Sequence, residues 1–174
     1  MIGFSKSAKN LPLGSWLIRA YQNTEYSHVY IRIPKTIYPT DTILHASEGK
    51  VHKMSETQFD KRHRVVKEYS INISEELYNK VKEEIHEISG DDYGIMQNIG
   101  IALVDVMRIL FGKKIQNPWI SGWNCSEFVM RILKIIFPIE FINTDPNTVT
   151  PKYIDKKLAY LAEKALISPI NKLI

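Results

Sequence analysis

Trp123-Asn124-Cys125-Ser126-Glu127-Phe128-Val129 is the stretch on which the reading of this chain turns. Asparagine is a preferred helix N-cap, and Glu127 follows Asn124 at the spacing of a capping box. Phe128, Val129, Ile132, Leu133, Ile135 and Ile136 then recur at helical spacing until Pro138 stops the run. A helix beginning at Cys125 is therefore expected. The only cysteine of the chain would sit on its first residue, where unpaired N–H groups and the positive end of the helix dipole favour thiolate. A lone cysteine is also commonly a small buried hydrophobe, so the local context admits both a nucleophile and a core residue.

Upstream the pattern changes from helical to alternating. In Tyr26 to Ile33, Val29, Ile31 and Ile33 share one face, and His28, Tyr30 and Arg32 share the other, as in a half-buried strand. Thr42 to Ser47 reads as a second strand with Ile43, His45 and Ser47 on one face, and Val51 to Met54 as a short third. If the first two form a hairpin closed around Thr36 and Ile37, paired residue numbers sum to 73 and His28 lies opposite His45 on the same face. A slip of one residue would turn one histidine away. Leu11 to Ser15 reads as a turn, Trp16-Leu17-Ile18 as a short strand, and Arg64 to Ile73 as another strand. Ser74, followed by Glu75 and Glu76, caps a helix with Leu77, Val81, Ile85 and Ile88 as its apolar stripe and Gly90 at its end. A helix over Ile95 to Phe111, the cysteine helix, and a last helix from about Lys152 to Ala165 complete an α+β domain spanning residues 1–174.

The composition bounds the function. The 174 residues, 44% of them hydrophobic, suffice for one domain with its own core. A net charge of +4, from 23 basic and 19 acidic residues, suits an anionic surface such as a wall polymer, a lipid headgroup or nucleic acid without identifying one. No Arg/Lys stripe with interleaved aromatics is present, so no nucleic-acid partner is expected. One cysteine excludes an intrachain disulfide and a multi-cysteine zinc site. Ile95 to Phe111 contains Gln97, Asn98, Asp105 and Arg108 and falls short of a membrane span, so no transmembrane segment is expected. Met1 to Asn10 has no apolar signal core, which points to a cytoplasmic product or one delivered to an envelope or a host by another route.

A cysteine nucleophile needs a base, and the base needs an orienting group. His28 is the natural base on the firmest strand. His45 is the best-placed third member, with Glu48 and Ser47 as weaker options. Each histidine can equally be an ordinary half-buried strand residue. His52, His63 and His86 lie in polar surroundings and are expected to be solvated. A zinc site from Cys125, His28 and His45 is a minor alternative, and neither metal nor organic cofactor is expected.

The order of these motifs carries a resemblance. Gly14-Ser15-Trp16-Leu17-Ile18, then Tyr26-Ser27-His28-Val29, then Ile43-Leu44-His45-Ala46, then Asn124-Cys125-Ser126-Glu127-Phe128-Val129 resembles the circularly permuted papain-like proteins of the NlpC-type superfamily. Two branches are similar: the YiiX-like bacterial hydrolases and the lecithin–retinol acyltransferase group. In both the histidine strand precedes the cysteine helix. The match covers roughly residues 13 to 155. It implies Cys125 as nucleophile, His28 as general base and His45 at the third catalytic position, with Tyr30, Glu48, Asn124 and Tyr93 as supporting or substrate-contacting candidates. Tyr93-Gly94 resembles the tyrosine turn before the cysteine helix, and Thr150-Pro151 the usual ending. The spacing of the two histidines is longer than in the acyltransferase branch, which Pro34 to Asp41 accommodates as a longer loop. The implied activity is a thiol hydrolase of peptide, isopeptide or cell-wall amides, with acyl-lipid or ester hydrolysis or acyl transfer as the alternative, and a non-catalytic binding module on the same fold as a third reading.

Overall fold

A computed structural model describes residues 1–8, 13–34, 41–47, 50–88 and 124–170. Its frame is a six-stranded sheet in which every neighbouring pair is antiparallel. The strands are β1 (Ile2–Ser7), β2 (His28–Ile33), β3 (Thr42–Ser47), β4 (Lys50–Ser55), β5 (His63–Ser70) and β6 (Ser168–Ile170). Their spatial order is β4-β3-β2-β1-β5-β6. The helices are α1 (Leu13–Gln22), α2 (Glu56–Asp60), α3 (Glu75–Ile88), α4 (Cys125–Ile136), α5 (Pro138–Phe141) and α6 (Pro151–Glu163).

Alternation along β2 divides the molecule into two faces. Val29, Ile31 and Ile33 join Leu44, Ala46 and Val51 in the main core, packed against Val81 and Ile88 of α3, Phe128 to Leu133 of α4, and Ile154, Leu158 and Leu161 of α6. The opposite face carries a smaller cluster of Tyr30, Ile43 and Phe59, with Met54 and Val65 beside it. The short helix α2 supplies Phe59, which is fully buried.

β1 is a central strand, paired with β2 through Ile2↔Ile31 to Ser5↔His28 and with β5 through Ile2↔Tyr69 to Ser7↔His63. Gly3 belongs there because nothing larger fits: a Cβ would stand 2.2 Å from Cζ of Tyr30 and 2.4 Å from its hydroxyl. The far side of the sheet is tied to α6 by Asp155, which accepts hydrogen bonds from Tyr26 (2.5 Å), Tyr69 (3.0 Å) and Lys67 (2.5 Å).

Two readings of the sequence change. Trp16-Leu17-Ile18 is not a strand but the middle of α1, and Leu13, Gly14 and Ser15 are its first turn. Three consecutive apolar residues do not distinguish the two periods, and Trp16 is half exposed on the helix surface. The β2–β3 register sums to 75, not 73: Ile31↔Leu44, Arg32↔Ile43, Ile33↔Thr42. A shift of two preserves every facing, so His28 and His45 stay on one side. The helix expected over Ile95 to Phe111 lies outside the described residues. Among the described residues no helix is long and apolar enough to cross a membrane.

Candidate active site

Asn124 has extended backbone (φ −94°, ψ 165°), and its Oδ1 accepts a hydrogen bond from Glu127 N at 2.8 Å. This side-chain cap starts α4 at Cys125, and Phe128, Val129, Ile132 and Leu133 seat the helix on the sheet. The position of the cysteine is thus fixed by one polar contact at the helix start and by an apolar stripe behind it.

The sheet meets that helix end in an unusual way. The β2–β3 ladder runs from Ile33↔Thr42 only as far as Ile31↔Leu44, although β2 continues to His28 and β3 to Ser47. Arg32 N–H donates to Met1 O, toward β1. N–H groups alternate between the two edges of a strand, so those of Ile33, Ile31 and Val29 face β3. At Val29 the ladder has ended, and its N–H meets the Cys125 thiol instead. The sulfur lies where the two strands part, beside the peptide that joins His28 to Val29.

Burial dominates the chemistry of this thiol. Cys125 is 5% exposed, and burial pushes its pKa above the ordinary thiol value, opposed by the N–H of Val29 and by the side chain and N–H of Ser126. The thiolate expected from the helix terminus is therefore not the resting form. The terminus pulls in the expected direction, but loss of water outweighs it.

His28 and His45 are brought together. His28 Nε2 lies 3.2 Å from His45 Nδ1, with ring centroids 5.3 Å apart and planes at 90°. Continuing the register of Ile31↔Leu44 by one residue would set His45 across from Tyr30, so the two histidines are diagonal rather than directly opposite. The ring hydrogen bond of His28 among the described residues goes to His45, and the hydrogen-bonding neighbours of the thiol are the Val29 N–H, the Ser126 groups and the N–H of Cys125 itself, with no thiol–imidazole hydrogen bond among the described residues. Both imidazoles are held neutral. Burial, then the proximity of His45 and His63, lowers His28 well below its usual value. Burial, then His63, His52 and Arg62, brings His45 down to about 3.

His63 and His52 are half-buried rather than fully solvated. The His63 ring stacks on Phe59 (4.3 Å, planes at 6°) and lies against His28 (5.1 Å, planes at 30°), with Nδ1 3.3 Å from Ser5 Oγ. Burial, then Arg62, lowers its pKa to about 4. His52 pairs across the ladder with His45. Charged residues on either side of His63 in sequence gave no hint of this. The signal that could have found it is Phe59, an aromatic isolated in a polar stretch, which needs a buried partner. His86 is exposed, as its surroundings implied.

Of the other candidates, Tyr30 is fully buried and its hydroxyl donates to Glu68 (2.8 Å). Glu68 also accepts from Arg32 Nε (2.6 Å), and Arg32 reaches Glu56 as well. Tyr30 thereby braces the sheet face next to the histidines. Glu48 and Tyr93 lie outside the described residues. Among the described residues no group of three or more His, Cys, Asp or Glu side chains is placed to hold a metal ion. A concavity of about 690 Å³ lies elsewhere, between α3, α4 and the sheet, and neither Cys125, His28 nor His45 lines it.

No known protein family, curated protein or solved structure matches this chain.

Proposed function

We propose that this chain is a cysteine-dependent hydrolase of amide bonds, built on a circularly permuted papain-like fold of the NlpC type, with peptides, isopeptides or cell-wall peptides as its substrate class. The observation that carries the reading is the thiol of Cys125 beside the Val29 N–H, one peptide from a histidine whose Nε2 is held by a second histidine. With Nε2 engaged, His28 keeps Nδ1 for the thiol. Functionally, this sets the tautomers: His28 carries its proton on Nε2 and donates it to Nδ1 of His45.

The resting states define how the reaction starts. Both the thiol and the imidazole are neutral, so His28 acts as a general base during attack rather than as half of a standing ion pair. The sulfur bonds to the carbonyl carbon, the carbonyl π pair moves to oxygen, and the thiol proton passes to His28 Nδ1. Collapse re-forms the carbonyl, breaks the C–N bond, and the amine leaves with that proton. Water, deprotonated by the same histidine, then releases the acid from the thioester. The N–H of Cys125, which lies on its own sulfur in the resting site, turns to the oxyanion as the thiol adds. Acyl esters follow the same steps with an alcohol as leaving group.

The test is Cys125→Ser against wild type. One atom changes at a helix N-terminus where oxygen is well tolerated, so the melting temperature is retained. Turnover of a peptide and ester panel is lost, along with any acyl-enzyme seen by intact mass. His28→Ala loses nearly as much activity, and His45→Ala less. Turnover that survives in Cys125→Ser, or a several-kcal/mol loss of stability without loss of function, refutes the reading and leaves a binding module.

A further inference from the structure

The cap of the cysteine helix leaves one group unexplained. Asn124 is 0% exposed, and its Oδ1 is fixed by the hydrogen bond from Glu127 N at 2.8 Å. That contact orients the amide, because only the oxygen can accept from an N–H. The other end, Nδ2, is buried with no hydrogen-bond partner among the described residues. A buried NH2 left unpaired costs about 1–3 kcal/mol, and a native structure retains such a group rarely. Serine or aspartate would cap this helix equally well and would leave no orphaned donor. Capping alone therefore does not account for asparagine here.

The orphaned donor is one residue from the sulfur, at the N-terminus of a helix of 12 residues. We infer that Asn124 Nδ2 is a catalytic hydrogen-bond donor, which with the Cys125 N–H holds the oxyanion formed when the thiol adds to a carbonyl. The inference rests on the thiol-hydrolase reading and adds a residue to it. In the ground state the NH2 has no partner among the described residues. As the sulfur–carbon bond forms and the carbonyl pair moves to oxygen, a full negative charge develops beside it, and the donor is satisfied only then. An interaction made only in the transition state raises kcat rather than lowering KM. It acts with the positive end of the α4 dipole, which favours negative charge at the same place. The donor is preorganised, since its partner oxygen is anchored in the cap and the whole side chain is packed.

The variants separate the two ends of the amide. Asn124→Ser keeps an oxygen for the Glu127 N–H and removes the NH2. Asn124→Asp does the same at constant shape and serves as the second variant. Two reactions of Cys125 are followed in each: acylation by p-nitrophenyl acetate, which passes through an oxyanion, and alkylation by iodoacetamide, which does not. Both variants should keep the wild-type melting temperature. In Asn124→Ser acylation should slow by roughly 100-fold, through kcat with KM little changed, while alkylation stays within about two-fold of wild type. Acylation of Asn124→Ser at the wild-type rate overturns the inference and leaves the thiol-hydrolase reading intact. So does an equal slowing of both reactions, which would mark a disturbed thiol rather than a lost donor. Failure of wild-type Cys125 to be acylated at all refutes that reading, and this inference with it.

Discussion

Lowering the pH from 7 to 5 should unfold much of this protein's stability margin through three imidazoles. His28, His45 and His63 all titrate below the ordinary histidine value of 6.5, His45 at about 3 and His63 at about 4. In the unfolded chain each regains that value and takes up a proton as the pH falls. The unfolded state then binds more protons than the native state, so stability is present above pH 6.5 and is lost progressively toward the folded values. Between pH 7 and 5, one histidine neutral in the fold and free to protonate when unfolded removes roughly 2 kcal/mol. Three acting independently remove about 6 kcal/mol, against a total of about 5–15 kcal/mol for an ordinary domain. Urea unfolding at pH 7, 6 and 5, followed by circular dichroism, measures this directly. The slope of stability against pH should steepen to about 4 kcal/mol per unit near pH 5, the signature of three protons. His45→Gln should reduce that slope by about one proton. A stability unchanged between pH 7 and 5 would refute the reasoning, because it would mean that the ring cluster accepts protons without opening.

Gly3→Ala drives a methyl group into the Tyr30 ring and displaces the hydroxyl from Glu68, so it should destabilise by about 2–4 kcal/mol, read as a lower urea midpoint. Asp155→Ala leaves Tyr26, Tyr69 and Lys67 without the carboxylate they share and should cost about 2–4 kcal/mol. In the wild type, burial and then Asp155 hold both phenols above their ordinary pKa. Ultraviolet titration of the native protein should therefore show them resisting ionisation beyond pH 10.

The parts legible in the sequence are those with a strong period and a cap. β2 and β3 were set by alternation, and α4 by Asn124, Glu127 and the apolar stripe from Phe128. The pairing of His28 with His45 survived a wrong register because the error was even. β1 was invisible: Ile2-Gly3-Phe4-Ser5-Lys6-Ser7 has one β-branched residue and no flanking turn, and its strand character comes from two neighbours far away in sequence. α1 reads as a strand in sequence because its apolar residues are consecutive. The state of the thiol differs from the local expectation for another reason. The helix terminus is local and can be read from sequence, whereas the loss of water around Cys125 is a property of the finished core. The same holds for His63, whose burial depends on Phe59 and His28 being brought to it.

The place of β1 bears on how the chain is made. It leaves the ribosome before β2, its neighbour on one side, and long before β5, its neighbour on the other. Until residues 63–70 have emerged, the middle of the sheet has one bare edge, bordered by Ile2 and Phe4. A nascent chain stalled there would offer that edge to any passing strand. Slowing translation between β2 and β5 should lower the soluble yield more than slowing it anywhere after β5.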